Sequence, residues 1–316
     1  MMVRVARRLG ILVVSLLASS VLVFAFMAVL PGDPARVALG VNASDEAVAA
    51  MRTQFGLDRP LVAQYLDWMH GLLTFDLGTS YVSRAPIGPQ VADRLQVTLW
   101  LVLTATVIAV VLAVPLGVFA AVRHRRPSGL VISALSQVGV AVPAFLAGIL
   151  LITVFAVQLG WLPANGWTPP VVDPVMFLKQ LVLPAVSLGI VQAAVLTRYV
   201  RSSVLDVQRE DFLRTARAKG LSPMAAMRRH GLRNAAIPVV TVLALQLATL
   251  LVGAVVVERV FVIPGLGSLL LDAVGQRDLR IVQDVVMLLV VAVLVVNVVV
   301  ELLYVLIDPR LRVAPR

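Results

Sequence analysis

The sequence predicts an all-α integral membrane protein with six transmembrane helices, from its composition and from the spacing of its charges. Of its 316 residues, 60% are hydrophobic and 14% are charged, whereas a soluble domain is about half apolar and about a quarter charged. A helix needs ~20 apolar residues to cross the bilayer core, and charged residues delimit six such stretches. The surrounding lipid is therefore an expected partner, and the net charge of +10 does not indicate a nucleic-acid partner.

The six apolar stretches are separated by loops of very different length. The first is expected to be a retained helix, because its apolar run is long for a signal peptide and no Ala-x-Ala cleavage site follows it. Pro115, Pro143 and Pro184 interrupt the second, third and fourth stretches, which favours a packed bundle whose neighbouring helices satisfy the freed carbonyl groups. The stretches are residues 9–30, the interval 94–123, residues 130–157, and the intervals 179–198, 233–258 and 284–307.

The charges of the loops predict the orientation of the chain. If the N-terminus lies inside, the inside segments sum to +14 and the outside segments to −3, and Glu301 within the sixth span accounts for the remaining −1. Basic residues are retained on the cytoplasmic side of membrane proteins, so both termini are expected to be cytoplasmic. Glu301 is interpreted as an acid that pairs near the membrane interface.

The chemistry that the sequence lacks excludes several functions. Cysteine is absent, which excludes disulfides, thiol catalysis and Cys-ligated metals. The three histidines lie in different predicted loops, and no G-x-x-x-x-G-K-[ST] phosphate loop is present. No predicted span carries His, Lys, Arg or Asp, which counts against a proton-coupled transporter. We expect no catalytic, cofactor-binding or metal-binding residues, and no ATP hydrolysis by this chain alone.

The inside segment 198–233 carries +6, and its part at residues 205–233, here the basic loop, predicts a helix–turn–helix between the fourth and fifth spans. Gly220 suits the end of the first helix, and Ser222 followed by Pro223 suits the start of the second. Such a basic element either lies on anionic lipid or docks into a partner protein. The breaks at Gly220 and Pro223 make it compact, which favours the partner. Its predicted apolar stripe is Leu205, Phe212, Leu213 and Ala216, and Met224 and Met227 follow in the second helix.

Residues 31–94, here the insert, form an outside segment with two predicted helices. Ser44 caps the first, with Asp45 and Glu46 in its first turn, and Asp58 and Pro60 open the second. Its stripe is interpreted as a core face packed on the bundle or as an interfacial aromatic belt. The stripe consists of Leu61, Tyr65, Trp68 and Leu72.

Polar side chains within the spans have two interpretations. They line a polar route through the bundle, or they form hydrogen bonds between helices, which is their commoner role. These residues are Gln137, Ser187, Gln192, Gln246 and Thr249.

The basic loop resembles the signature loop of ABC importer permeases of the dipeptide, oligopeptide and nickel transport family. The run 214–222 (RTARAKGLS), followed by residues 232–235 and Pro238, carries the resemblance. Ala216, Gly220 and Leu232 keep the spacing of the general motif. The chain departs from that motif at Arg214, Thr215, His230 and Arg233. Further matching segments are residues 30–34, 55–61, 76–80, 253–258, 264–267, 277–278 and 308–310.

The resemblance implies an ATP-driven importer in the inner membrane of a prokaryote, and it implies partners. This chain would assemble with a homologous second permease and two ATP-binding subunits, which bind ATP-Mg, and would receive cargo from an extracytoplasmic substrate-binding protein. The cargo would be di- or oligopeptides, with nickel or glutathione as alternatives. A self-sufficient secondary transporter or channel is the alternative from another class.

The resemblance also implies roles for particular residues. The basic loop would be the coupling element, and it would bind in a cleft of the ATP-binding subunit. The outer gate, with Gln246 as a pathway residue, would lie at Glu258, Pro264, Gly265 and Gly267. The platform for the binding protein would involve Asp58, Tyr65 and Trp68. The predicted segments are 1–30 (tail and first span), 31–94 (insert), 95–308 (permease core) and 309–316 (cytoplasmic tail). The coupling residues would be Phe212, Leu213, Arg214, Ala216, Arg217, Lys219, Gly220, Leu221, Ser222 and Met224.

Overall fold

The computed structural model describes residues 2–30, 32–40 and 42–307, and within these residues the protein is helical without a β-sheet. The side chains of residues 2–5, 237 and 300–307 are outside the described set. The predicted tail 309–316 and the side chain of Glu301 therefore lie outside the described residues.

Thirteen α-helices follow one another along the described chain, and π-helical turns extend two of them. Among the described residues, five helices are long and apolar enough to cross a membrane, namely α1, α5, α8, α11 and α13. The helices are α1 Met2–Val29, α2 Pro34–Leu39, α3 Asp45–Gln54, α4 Leu61–Thr74, α5 Ile87–Val122, α6 Pro127–Ala141, α7 Ala144–Leu151, α8 Pro174–Gln208, α9 Asp211–Ala218, α10 Pro223–Ala226, α11 Leu232–Val260, α12 Leu266–Gln276 and α13 Leu279–Ile307.

The third predicted span is not one straight helix. It consists of α6 and of α7 with its π-helical extension to Gln158, and these two parts are bent by 100°. The break falls where Val142 takes an extended conformation (φ −86°, ψ 120°) before Pro143, as the ring of a following proline requires. Pro115 and Pro184 lie inside continuous helices. Of the three prolines expected to interrupt spans, only Pro143 does so, and counting the bent pair as one span gives the six predicted spans.

The chain divides into two compact units. Unit 1 comprises Leu99–Ile263 and the chain from Val296, and unit 2 comprises Met2–Thr98 and Pro264–Val295. In unit 1, helices α6, α7 and α11 pack on α8. Small residues permit this packing: a Cβ at Gly139 of α6 would lie 2.7 Å from the Cβ of Ala194 in α8.

Unit 2 joins the insert to a distant part of the sequence. Its core brings Ile87 and Val91 at the start of α5 together with α12 and the start of α13. Ser44 caps α3 as predicted, because its Oγ accepts a hydrogen bond from Ala47 N at 3.2 Å. Helix α4 begins after Pro60 without a side-chain cap. Asp58 is exposed, and the expectation that it helps to open this helix is wrong, since a carboxylate so far from the first turn caps no N–H group there.

Candidate functional site

The basic loop contains the two short helices that its sequence predicts. Glu210 is extended and begins α9, and Gly220 turns the chain after this helix with φ +94°. Ser222 caps α10, because its Oγ accepts a hydrogen bond from Ala225 N at 3.3 Å. A π-helical turn, Met227–Gly231, then joins α10 to α11.

The predicted apolar stripe does not lie on one helix. Leu205 belongs to α8, which ends at Gln208. Because Glu210 is extended, the helical register does not continue from Leu205 to Phe212. The two neighbours in α9 consequently differ: Leu213 is 2% exposed, whereas Phe212 is 39% exposed.

Apolar contacts hold the loop on unit 1. Leu213, Ala216 and Met227 belong to the same buried cluster as Val200 and Val204 of α8. Leu221 and Met224 pack against this cluster and are partly buried. Leu213 therefore holds the loop in place, and the expectation that it anchors a partner directly is not met by this structure, in which its side chain is covered.

Gly231 is a further residue of the loop that sequence reasoning missed. A Cβ at this position would lie 2.2 Å from Met227 Sδ and 3.4 Å from Leu213 Cδ1. Since the collision involves the side chains that seat α9, a glycine is required for this packing. Its only signal in the sequence is a glycine inside a helical pattern close to the motif.

The exposed side of the basic loop is cationic. Arg214 forms an ion pair with Asp211 at 3.5 Å within α9. Arg217 donates to Leu213 O within α9 and to Gln208 O, each at 3.3 Å, and so satisfies a carbonyl at the C-terminal end of α8. Arg217 is thus a positioning residue as well as a surface charge. The predicted coupling residues with exposed side chains or backbone are Phe212, Arg214, Arg217, Lys219, Gly220 and Ser222.

Buried amides mark a candidate polar route in unit 1. Gln246 of α11 is buried, and within the described chain neither its Nε2 nor its Oε1 has a hydrogen-bond partner. Gln192 of α8 is also buried, with its Nε2 unpaired among the described residues. By contrast, Ser187 donates to Pro184 O at 2.8 Å, and Gln137 is exposed. An unpaired buried amide costs about 1–3 kcal/mol, so both glutamines are suited to a polar ligand.

The predicted outer gate falls in two different units. Glu258, near the end of α11, is fully buried and has an interaction partner, and its carbonyl accepts from Ile263 N at 2.8 Å. In unit 2, Gly265 begins α12, where Leu266 N donates to Thr98 Oγ1 at 2.9 Å. Gly265 and Gly267 are buried, and Pro264 is partly buried. No group of three acidic or histidine residues is placed to hold a metal ion in the described residues.

The aromatic face of α4 points into unit 2. Trp68 is 1% exposed, and its Nε1 donates to Asp284 Oδ1 at 2.8 Å. Tyr65 shares a hydrogen bond of 2.8 Å with Ser20 of α1, and its ring meets the Phe24 ring edge-on at 5.4 Å. The core-face interpretation holds for Tyr65 and Trp68, whereas Leu61 is 59% exposed. The burial of Trp68 leaves its side chain no exposed surface for a direct platform contact. Of the three predicted platform residues, Asp58 is exposed.

A network of buried acids at the start of α13 holds the insert. Asp278 accepts hydrogen bonds from Ser80 Oγ, and from Tyr81 N at 3.3 Å and Val82 N at 3.4 Å. Arg280 donates to Leu77 O at 3.2 Å and lies 3.6 Å from Asp284 Oδ2. Sequence reasoning noted the segments 76–80 and 277–278 but assigned them no role.

The network also changes the titration of Tyr81, which lies outside the spans. Burial raises the pKa of the Tyr81 phenol above its ordinary value of 10.0, and the neighbouring Arg280 guanidinium opposes this shift. The phenol is therefore neutral at physiological pH and acts as a hydrogen-bonding aromatic ring.

Comparison with known proteins identifies the family along almost the whole chain. The family model described as "Binding-protein-dependent transport system inner membrane component" matches residues 113–313, and the N-terminal model of the same transport systems matches residues 1–102. The chain is 44% identical over 312 residues to the glutathione transport system permease protein GsiC of Salmonella typhimurium, and 43% identical to that of Escherichia coli K12. Both alignments cover 98% of this chain and 98% of the relative.

Solved structures share the fold at low sequence identity. The MetNI methionine ABC transporter matches with a TM-score of 0.58 at 20% identity, over 69% of this chain and 96% of that chain. An amino acid ABC transporter matches with a TM-score of 0.51 at 20% identity, over 68% and 93%. The sequence and the fold thus agree with the predicted family, which implies ATP-binding and substrate-binding partners. The chain belongs to the binding-protein-dependent transport system inner membrane components, and it is a transmembrane permease subunit of an ABC importer, in which partner subunits hydrolyse ATP.

Proposed function

We propose that this chain forms half of the translocation pathway of an importer for short peptides, with glutathione as the first candidate cargo. The observation that carries the proposal is the 43–44% identity, along 98% of both chains, to permeases named for glutathione transport. Glutathione is itself a tripeptide, so this cargo lies within the peptide class that the sequence predicts. A second, homologous permease completes the pathway in this proposal.

The basic loop is the proposed contact with the ATP-binding subunit. Its exposed surface combines an exposed phenylalanine, Phe212, with the cations Arg214, Arg217 and Lys219. An apolar side chain surrounded by charge suits a cleft with an acidic rim. Closure of two ATP-binding subunits would move the paired loops and switch the bundle between its two states of access.

The buried glutamines are the proposed contacts to the peptide within the bundle. Gln192 and Gln246 each offer an unpaired amide nitrogen, and Gln246 also offers an unpaired carbonyl oxygen. Peptide groups of a cargo carry the complementary donors and acceptors. Glu258 at the end of α11 is a candidate for the cargo's amine, and the start of α12 (residues 264–267) is a candidate for the outer gate.

The insert is the proposed outer surface for the binding protein, with both chain termini in the cytoplasm. Support for this orientation comes from the segment charges of +14 and −3 and the positive-inside rule. In this proposal Trp68 and Tyr65 act from the interior by fixing α4, while exposed residues such as Asp58 meet the binding protein.

Uptake into proteoliposomes tests the proposal. The chain is reconstituted with its co-purifying permease, ATP-binding subunits and binding protein, and labelled glutathione, an unmodified dipeptide and nickel are offered separately. We expect uptake of glutathione or of the dipeptide. This uptake should require ATP on the side of the membrane that holds the ATP-binding subunits, and a saturating concentration of the binding protein on the other side. Nickel uptake without peptide uptake would overturn the proposal that the cargo is a short peptide. Uptake by this chain alone, driven by an ion gradient, would overturn the proposed dependence on partners.

Gln246→Leu separates cargo contact from assembly in the same assay. The substitution keeps the side-chain size and removes the unpaired amide, so the complex should assemble with unchanged basal ATPase activity. We expect the peptide concentration that gives half-maximal uptake to rise. The exposed amide Gln137 supplies the matched control, Gln137→Leu, and an equal effect of both substitutions would argue against a pathway role for Gln246.

A further inference from the structure

Two adjacent cavities of opposite character lie within unit 2. The first, of about 330 Å³, is lined by five charged side chains together with apolar ones. The second, of about 280 Å³, is lined mainly by apolar residues such as Val37, Val274 and Val282. Leu30, Gly32, Pro34 and Leu279 line both cavities. The two cavities therefore form one amphipathic site, which combines a polar compartment with an apolar one.

The site lies where two transmembrane helices end. Phe24, Met27 and Leu30 come from the last turns of the α1 span and the loop after it, and Leu279 and Gln283 come from the first turns of the α13 span. The end of an apolar span marks the boundary between hydrocarbon and headgroups. A ligand in this site would thus have one end at the level of the headgroups and the other beside the acyl chains.

The charges of the polar compartment suit a phosphate-bearing headgroup. Arg52 is paired with Asp33 at 3.1 Å, and Arg59 forms an ion pair with Asp67. Arg280, which lies 3.6 Å from Asp284 Oδ2, also lines this compartment, so the lining itself holds three guanidinium groups and two carboxylates. Exposed ion pairs are weak, and guanidinium groups match phosphate oxygens with paired hydrogen bonds.

An unpaired donor in the wall of the polar compartment points to a ligand independently of the charges. Gln283 lines the compartment and is 8% exposed. Its Nε2 has no hydrogen-bond partner in the part of the chain that the structure describes. A buried amide without an acceptor is destabilising, and a phosphate or ester oxygen in this compartment would satisfy it.

We propose that this amphipathic site binds one phospholipid, with its phosphate near Arg52, Arg59 and Gln283 and an acyl chain in the apolar compartment. The polar compartment carries a net charge of +1 and Arg277 in the lining of the apolar compartment adds a further positive charge, which favours an anionic over a zwitterionic headgroup. The bound lipid joins the end of α1 to the insert and to α13. The proposal concerns unit 2 and is independent of the cargo that the importer carries.

Native mass spectrometry of the full-length chain, with whichever partners co-purify, tests the occupancy. We expect one tightly retained phospholipid in the unaltered protein. Val37→Trp fills the apolar compartment and should lower retention at least tenfold. Val62→Trp, on the exposed side of α4, is the control and should retain the lipid. Equal retention in the two variants, or a peptide retained in place of the lipid, would overturn the proposal.

Thermal stabilisation of the delipidated protein tests the headgroup. Phosphatidylglycerol should raise the unfolding midpoint, whereas diacylglycerol with the same chains and inorganic phosphate alone should not. Arg52→Gln should weaken phosphatidylglycerol binding about tenfold, equivalent to ~1.4 kcal/mol. Arg36→Gln removes a comparable exposed ion pair, with Asp45 at 2.7 Å, outside both cavities, and should change binding less than about twofold. Stabilisation by inorganic phosphate as large as that by phosphatidylglycerol would show an anion site and overturn the lipid assignment.

Discussion

The basic loop and the insert are both connections between membrane-spanning helices, but they are held by opposite kinds of interaction. In the basic loop, Leu213 and Met227 are buried among apolar side chains and the charges are exposed. The insert is held by buried charges from the start of α13: Asp278 and Asp284 are each 1% exposed and accept hydrogen bonds from Ser80 and Trp68 of the insert. The basic loop is therefore attached by apolar contacts and has a charged surface, whereas the insert is attached through buried carboxylates.

The difference matters for what each connection can do. Apolar contacts have no required direction, so a loop seated by them tolerates small displacements when a partner moves it. Hydrogen bonds to buried carboxylates require one geometry, and leaving them unmade is costly. The insert is therefore suited to a fixed surface, and the basic loop is suited to transmitting a movement.

Removal of Asp278 should strongly destabilise the insert. Asp278→Ala leaves the Ser80 hydroxyl and the backbone N–H groups of Tyr81 and Val82 without their acceptor. We expect a loss of about 3 kcal/mol, measured as a lower unfolding midpoint and faster proteolysis of the insert. Asp45→Ala, which removes an exposed carboxylate of the same insert, should cost less than ~1 kcal/mol. Equal losses would mean that buried charge does not hold the insert.

The neighbours Leu213 and Phe212 separate seating from docking in the basic loop. Leu213→Ala should destabilise unit 1 by about 2–5 kcal/mol, because it leaves a cavity in a buried cluster. Phe212→Ala should change stability by less than ~1 kcal/mol, since 39% of Phe212 is exposed, but should reduce co-purification of the ATP-binding subunit. Unfolding midpoints and pull-down yields together decide the matter. If Phe212→Ala left co-purification unchanged, Phe212 would not be the apolar contact.

Gly220 tests whether the shape of the loop matters apart from its charges. Its φ of +94° favours glycine, and no atom outside its chain neighbours lies within 4 Å of a Cβ placed there. Gly220→Val should thus act through backbone strain of about 1–3 kcal/mol and lower ATP-coupled uptake several-fold. Gly220→Asn is the matched control, because asparagine tolerates positive φ better. Similar losses in both variants would indicate that side-chain size, and not backbone geometry, is limiting.

The sequence predicted those parts of the molecule that depend on local signals. Apolar length located the spans, Ser44 and Ser222 located the starts of α3 and α10, and Gly220 located the turn. Each cap joins residues three positions apart, the turn depends on one residue, and each span depends on one continuous stretch of chain. The family resemblance rested on the same local motifs and is confirmed by the comparisons.

The sequence did not predict features that arise from distant pairings. The Trp68–Asp284 hydrogen bond joins residues 216 positions apart, and no periodicity contains it. The register break at Glu210 separated Leu205 from Phe212 because backbone conformation at one residue redirected a whole helix. The 100° bend at Pro143 had a visible cause, but its angle depends on how α7 packs against α8 and α11.

The smallest expected effect is the titration of Tyr81. It probes the buried charges that hold the insert without removing them. Burial raises the pKa of Tyr81 above 10.0, so the folded protein holds this proton more tightly than the unfolded chain. The resulting stabilisation is complete below the unfolded pKa of ~10 and is lost as the pH rises through the folded pKa. Tyr81→Phe should therefore flatten the alkaline fall of the unfolding midpoint.

Arg280 supplies the control for this titration. Its guanidinium lowers the pKa of Tyr81 against the effect of burial, so Arg280→Gln should move phenolate formation to higher pH. Ultraviolet difference absorption between each protein and its Tyr81→Phe counterpart isolates this phenol from the other three tyrosines. Phenolate formation at the pH of a free tyrosine would mean that water reaches Tyr81. Water would then also reach the buried charges that hold the insert. The rigidity of the insert would have to come from the apolar contacts of α12 and α13 instead.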